Sequence, residues 1–371
     1  MSLITVERKS SSTLRLVPSA EQQTAVGALV GCALCLGFIG ALMNGITLVR
    51  FAVLYLCLIF MTVGMILRRQ QRIIEVSLPD KCIYFLGRRK ADVYAIPFGM
   101  IAALRLTRRN AQGDLVPPDF EPHDNSRGSY PYHLDMVLRT SGYETLDRSV
   151  LGPDLAATAL KLAEVTGFAI EDHANIGFSR AAKSEYAPVV AEVDERVPTG
   201  SVLQAYSKNG QKGFYWSLSP GRLYIALMMF ATAGLLYGGG YGIWEAAAGE
   251  GNFIAGGILL FVCGFFAYMI LWRIVRAAAG KGFIVWDDQT VRFGASIFGK
   301  EYSSVMLERR DLKTARIAVP RPGKGRVELV QTSGAVFKAL KVASPLAPLT
   351  TGDLHWLSRY LRKQFSITEN S

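Results

Sequence analysis

Charge is what this 371-residue chain lacks most. Asp, Glu, Lys and Arg make up 19% of it, against about 25% in soluble domains. Apolar residues reach 50%, which excludes a disordered chain, because such chains hold too little apolar surface to fold. Histidine is scarce, with four copies, and the five cysteines are too few to staple a secreted disulfide scaffold of this size. No Walker loop, dinucleotide fingerprint, nucleophile elbow or His-Glu-x-x-His motif occurs, so phosphate-loop, acyl-transfer and zinc-hydrolase chemistry have no local signature. What is present is a positive mean hydropathy together with a net charge of +11. That pairing predicts a protein that enters a membrane and keeps its cations in water beside anionic head groups.

Four stretches without charge, residues 24–43, 51–67, 223–243 and 253–272, have the roughly 17–25 residues a spanning helix needs. They predict two transmembrane hairpins. Lys9, Arg15, Arg68, Arg69, Arg72 and Lys81 flank the first pair on its outer side. Lys208, Lys212, Arg222, Arg273, Arg276 and Lys281 flank the second, while the loops inside the pairs hold only Arg50. By the positive-inside rule both termini and the polar segments are cytoplasmic. The expected localisation is the bacterial inner membrane, multi-pass. Two false signals drop out. Leu29-Val30-Gly31-Cys32 resembles a lipoprotein processing site, but the sequence stays apolar after it. Cys32-Ala33-Leu34-Cys35 spells a redox spacing, but inside an apolar run, where thiols are inert.

The chain reads as two copies of one pattern, with a period near 200 residues. Each half opens on a strand-like segment ending in proline, Leu14 to Pro18 and Trp216 to Pro220, followed by a membrane hairpin. Each closes its strands on a Thr-Ser-Gly turn, at Thr140-Ser141-Gly142 and Thr332-Ser333-Gly334. Each ends in an amphipathic helix entered through Asp154-Leu155 or Asp353-Leu354. Asn209-Gly210, between two strand-like runs, signals a hairpin ahead of the third helix, so each polar domain is expected to be split around its membrane hairpin. The expected organisation is an N-terminal cytoplasmic segment (1–23), transmembrane hairpin 1 (24–67), cytoplasmic domain 1 (68–172) and a linker (173–200). A pre-membrane β-hairpin (201–222), transmembrane hairpin 2 (223–272) and cytoplasmic domain 2 (273–371) complete it.

Val93-Tyr94-Ala95-Ile96-Pro97-Phe98-Gly99-Met100-Ile101-Ala102-Ala103-Leu104, a strand, Ile-Pro and a second strand, resembles bacterial pleckstrin-homology-like domains. The closing strands and helix at 133–168 and 326–365 fit the same pattern. The second copy departs from it at residues 305–312, which lack the proline. The resemblance implies an antiparallel β domain capped by a C-terminal helix, carried in two tandem copies, and a binding role rather than a catalytic one. The expected fold class is therefore α+β polytopic membrane protein: four transmembrane helices in two hairpins, each hairpin carrying one such domain.

No catalytic, cofactor or metal residue is predicted. Glu121, His123 and Asp124, with Asp114 and Asp119, could share a hard cation, but they read first as a solvated loop. Arg68, Arg69, Arg72, Arg88, Arg89, Lys90, Arg108 and Arg109 are the expected lipid or partner contacts, attracted to anionic head groups at about 1 kcal/mol each. For Arg68, Arg69 and Arg72, setting the topology is an equal reading. Gly27 and Gly31, and Gly234, Gly238 and Gly242, form four-spaced stripes that let another helix approach, either within the chain or in self-association. Membrane lipids and a membrane-protein partner are expected, and nucleic acid is not, because the cations are scattered over flanks and turns. The function expected is non-enzymatic anchoring, scaffolding or assembly at the cytoplasmic face. The alternative is a transporter or channel subunit.

Overall fold

The computed structural model describes residues 4–10, 12–42, 47–87, 93–109, 115–116, 132–183, 186–188, 195–208, 210–219, 222–249, 253–321, 324–341 and 348–365. The chain opens on β1 (Ile4–Ser10) and β2 (Thr13–Pro18), an antiparallel pair. Two helices follow, α1 (Ala20–Leu42) and α2 (Thr47–Gln70), and then β3 (Ile73–Ser77) and β4 (Cys82–Leu86). β2 hydrogen-bonds to β3 on the far side of the helix pair, Leu16 opposite Ile74. The polar unit is thus closed around an inserted helical excursion. Strand alternation explains the registration: Leu14 and Leu16, Ile74 and Val76, and Ile83 and Phe85 all point to one face and are buried. The β3–β4 turn is fixed by Ser77, whose hydroxyl donates to Asp80 Oδ2 at 2.7 Å.

The first half continues through β5 (Tyr94–Pro97), β6 (Ile101–Arg108), β7 (Tyr132–Leu138) and β8 (Tyr143–Ser149) to α3 (Gly152–Thr166) and the short β9 (Ile170–Asp172). α3 begins with Pro153 in its first turn and ends at Gly167, whose φ of +75 suits a residue without a Cβ. The second half repeats the order. β10 (Gln204–Lys208) and β11 (Gln211–Ser217) precede α4 (Arg222–Ala247) and α5 (Phe253–Ala279), and β11 pairs with β12 (Gly280–Trp286) beyond the helices. After β13 (Thr290–Ile297) and β14 (Lys300–Glu308) come β15 (Leu312–Arg321), β16 (Lys324–Gln331), β17 (Val336–Lys341) and α6 (Thr351–Gln364). The start of α6 is set by a reciprocal cap: the Asp353 amide donates to the Thr350 hydroxyl at 3.1 Å, and the Thr350 amide to Asp353 Oδ2 at 2.8 Å.

Among the described residues the strands form three sheets, β1-β2-β3-β4-β5, β10-β11-β12-β13-β14, and a seven-stranded sheet in the order β17-β16-β15-β8-β7-β6-β9. The last contains both halves. β15 and β8 run parallel, Ala318 beside Tyr143 and Val319 beside Glu144, and β6 and β9 are parallel too. The apolar core is contiguous across the join. α6 packs on β15 and β16 and closes an aromatic group in which Phe214 meets Trp356 at 5.3 Å and Trp286 meets Phe365 at 5.9 Å.

Two parts of the expected fold class are corrected. The β domains are not two separate antiparallel units, because a mixed sheet runs through both. Nor are four transmembrane helices found among the described residues. Among the described residues two helices are long and apolar enough to cross a membrane, at Gln22–Gly40 and Phe253–Arg276, and Val53–Met65 is a shorter apolar stretch. In α2 and α4 the described side chains do not make up an unbroken apolar window of that length. The two candidate spans are not core helices: 17% and 11% of their windows are buried within the chain.

Candidate functional site: the polar brace at the seam

A buried polar constellation lies where the halves meet. Glu144, on β8 at its contact with β15, is completely buried. Three groups from separate parts of the chain converge on its carboxylate. Arg72, two residues beyond α2, donates through Nη1 to Oε1. The Tyr94 hydroxyl on β5 donates to the same oxygen. His355 Nε2, on α6 of the other half, lies 2.8 Å from Oε2, and because an ionised carboxylate only accepts, this nitrogen carries the proton. Arg72 also donates to the Thr145 carbonyl. Rings stack behind the charges: the Arg72 guanidinium sits 4.8 Å from the Phe85 centroid, Phe85 stacks on Tyr94 at 4.7 Å, and Tyr94 meets His355 at 4.9 Å. A connected path of charge and ring thus runs from the end of α2 to α6.

Burial by itself would favour the neutral acid, but Arg72, then His355 and Tyr94, outweigh it and hold the Glu144 carboxyl at about 2. The same pairing raises Arg72 above its ordinary value against the opposing effect of burial. A general acid or base works best with its pKa near the operating pH; Glu144 is displaced the other way and has no solvent access. Through His355 the arrangement ties the two halves together.

Further contacts cross the same seam. Arg362 of α6 donates to the Ala315 carbonyl in its own half and to the Thr140 carbonyl in the other, both at 2.7 Å. Gly142 lies so close to β15 that a Cβ there would stand 2.6 Å from the Ile317 carbonyl oxygen. On the next face of β8, Thr145 donates to Asp135 Oδ1 at 2.5 Å. Asp135 Oδ2 accepts from Thr107 at 2.9 Å and from Arg109 at 2.5 Å, and Arg109 lies over the Tyr143 ring at 4.1 Å.

These placements redistribute the cations singled out from sequence. Arg72 and Arg109 are corrected from lipid contacts to buried structural pairs, since each guanidinium is committed to an interior carboxylate. Arg108 is half-buried over the Tyr132 ring at 5.5 Å. Arg68 is exposed at the end of α2. The side chain of Arg69 and residues Arg88, Arg89 and Lys90 lie outside the described residues, as do Asp114, Asp119, Glu121, His123 and Asp124. Among the described residues no group of three His, Cys, Asp or Glu is placed to hold a metal.

The glycine stripes are also reassigned. Among the described residues, Gly27, Gly31, Gly234 and Gly238 have no atom beyond their own helix backbone and chain neighbours within 4 Å of where a Cβ would stand, so no close helix approach is seen at them. Gly242 does pack, against Leu259. Other glycines at close helix approaches are Gly37 against Cys57, Gly40 against Leu54, Gly64 against Val30, and Gly239 against Leu260 and Cys263. Glu144 and His355, the centre of the brace, were not singled out from sequence. The available signal was phase: Glu144 shares a strand face with buried Leu146, and an acid at an inward position demands a buried partner. The chain matches no protein-family model and no curated protein.

Proposed function

We propose that this protein is a non-enzymatic membrane-seated scaffold, which holds a double β platform against the cytoplasmic face of the bacterial inner membrane. The observation that carries this reading is the contrast between its two kinds of surface. The helices α1 and α5 leave their apolar windows almost wholly uncovered by the chain, with Phe38, Ile254 and Phe261 each more than 60% exposed. A soluble monomer does not leave contiguous apolar surface of that extent in water. Charges of the β platform, by contrast, are spent inside it, at Arg72, Glu144 and Asp135, and His355 carries the Glu144 cluster across to the other half.

Strand pairing supports a single polar side. β2 pairs with β3, and β11 with β12, across their helical excursions, so both ends of each excursion stand side by side in one sheet. Exposed Arg68, Arg273 and Arg276 at the platform ends of the helices favour the cytoplasmic face, where anionic head groups and the positive-inside bias both act. Within each half, a sheet, three further strands and a closing helix keep the resemblance to bacterial pleckstrin-homology-like domains as our proposal for the unit's ancestry.

Alkaline carbonate extraction of membranes from cells making the full chain tests the seating, and cross-linking in those membranes tests the scaffold. We expect the chain to stay in the membrane pellet and to form discrete cross-linked species of higher mass. Release into the carbonate supernatant would overturn the seating. A chain that remains monomeric under every cross-linker would overturn the scaffold.

A further inference from the structure

Resting on that membrane seating, we propose that the turn joining β13 to β14 is a lipid-inserting tip, with Phe298 lodged in the interfacial layer of the bilayer beside the exit of α5. The register places it there. Gly280, the residue after α5, pairs with Ile297, the last residue of β13. β13 therefore runs back toward the helix, and turn residues Phe298 and Gly299 reach past the level at which α5 enters the sheet. A second contact fixes the tip against the helix: the guanidinium of Arg276, in the last turn of α5, sits 5.0 Å from the ring centroid of Tyr302 on β14.

The residue choice is unexplained by folding. Phe298 has φ +50 and Gly299 φ +79, the left-handed pair of a two-residue hairpin turn, where Asn, Asp or Gly is the ordinary first residue. A phenylalanine there carries backbone strain, and its ring, 78% exposed, packs on little of the chain. A bilayer supplies the missing partner, because an aromatic ring gains by leaving water at the membrane interface. The surroundings fit lipid: Arg273, Arg276, Lys281 and Lys300 are exposed around the tip, where cations meet anionic head groups.

The test uses the full chain in vesicles of phosphatidylethanolamine and phosphatidylglycerol, with a photo-activatable benzophenone amino acid replacing Phe298. In a second protein the same group replaces Met306, which is 64% exposed on β14 and roughly 20 Å farther from the tip at ~3.3 Å per residue. The vesicles are floated, irradiated, and the intact protein weighed by mass spectrometry. We expect lipid adducts at 298 to exceed those at 306 several-fold. Equal yields, no lipid adduct at 298, or cross-linking of 298 to a second copy would each overturn the tip. A chain that does not float with the vesicles defeats the membrane seating itself, whereas one that floats without a lipid adduct at 298 defeats only the tip.

Discussion

His355 Nε2, on the last helix of the chain, lies 2.8 Å from Oε2 of Glu144, a strand residue 211 positions earlier. Those two atoms join the second half of the chain to the first, and Arg72 ties both to the end of α2. The brace is a buried charge cluster, so its energetic signature is asymmetric: intact it contributes modestly, broken it costs a great deal.

Removing the shared carboxylate therefore has a large effect. Glu144→Ala leaves Arg72 buried and unpaired and destabilises the fold by about 3–5 kcal/mol. His355→Ala removes one charge-assisted hydrogen bond and costs about 1–3 kcal/mol. Lys9, which pairs with Glu75 at 3.2 Å on the exposed surface, is the control: Lys9→Ala changes stability by less than about 1 kcal/mol. Denaturant unfolding of the full chain in detergent micelles measures all three, and similar losses for Lys9→Ala and Glu144→Ala would contradict the account.

Acid acts on the same carboxylate. Folded Glu144 ionises at about 2, while an unfolded glutamate does so near 4.3. A group whose folded value is the lower one stabilises the fold fully above about pH 4.3 and loses that contribution as pH falls toward 2. The difference is on the order of 3 kcal/mol. Unfolding midpoints taken at pH 6, 4 and 3 fall more steeply in the wild type than in Glu144→Gln. Parallel curves would show that the carboxylate is not held as described.

Glycine substitutions separate the seam from the helix stripes. Gly142→Ala drives a methyl group against the Ile317 carbonyl oxygen, forces β8 and β15 apart, and costs about 1–3 kcal/mol as overpacking does. Gly31→Ala and Gly234→Ala meet open space and leave the fold of the single chain within about 1 kcal/mol of wild type. Melting temperatures of the three variants in one detergent decide the order, and a larger loss at Gly31 than at Gly142 would reverse it.

Local features were legible in the sequence and the join was not. Ile74 and Val76 alternate with polar neighbours, and Asp287 closes its own turn by accepting the Thr290 amide at 2.6 Å, so β3, β12 and β13 could be read directly. The split of each polar unit around its helices followed from Asn209-Gly210. β1 carries the same alternation at Ile4 and Val6 inside what reads as an N-terminal cytoplasmic segment. The parallel pairing of Tyr143 with Ala318 leaves no local trace, because each strand is an ordinary alternating run until the other lies beside it. Arg72 and Arg109 were noticed as cations, yet sequence shows charge without burial, and both proved to be interior partners of acids.

The central claim is that lipid covers the apolar faces of α1 and α5, and native Cys35 reports on it. Its side chain is exposed on α1 within the Gln22–Gly40 window. In a full chain whose other cysteines are replaced by serine, a membrane-impermeant maleimide added to sealed or opened vesicles should leave Cys35 unlabelled until denaturing detergent is added. In a matched chain that also has Cys35 replaced by serine and carries Ser207→Cys on the exposed strand β10, labelling should proceed in opened vesicles. Labelling of Cys35 in native vesicles as fast as at position 207 would place α1 in water and contradict the account.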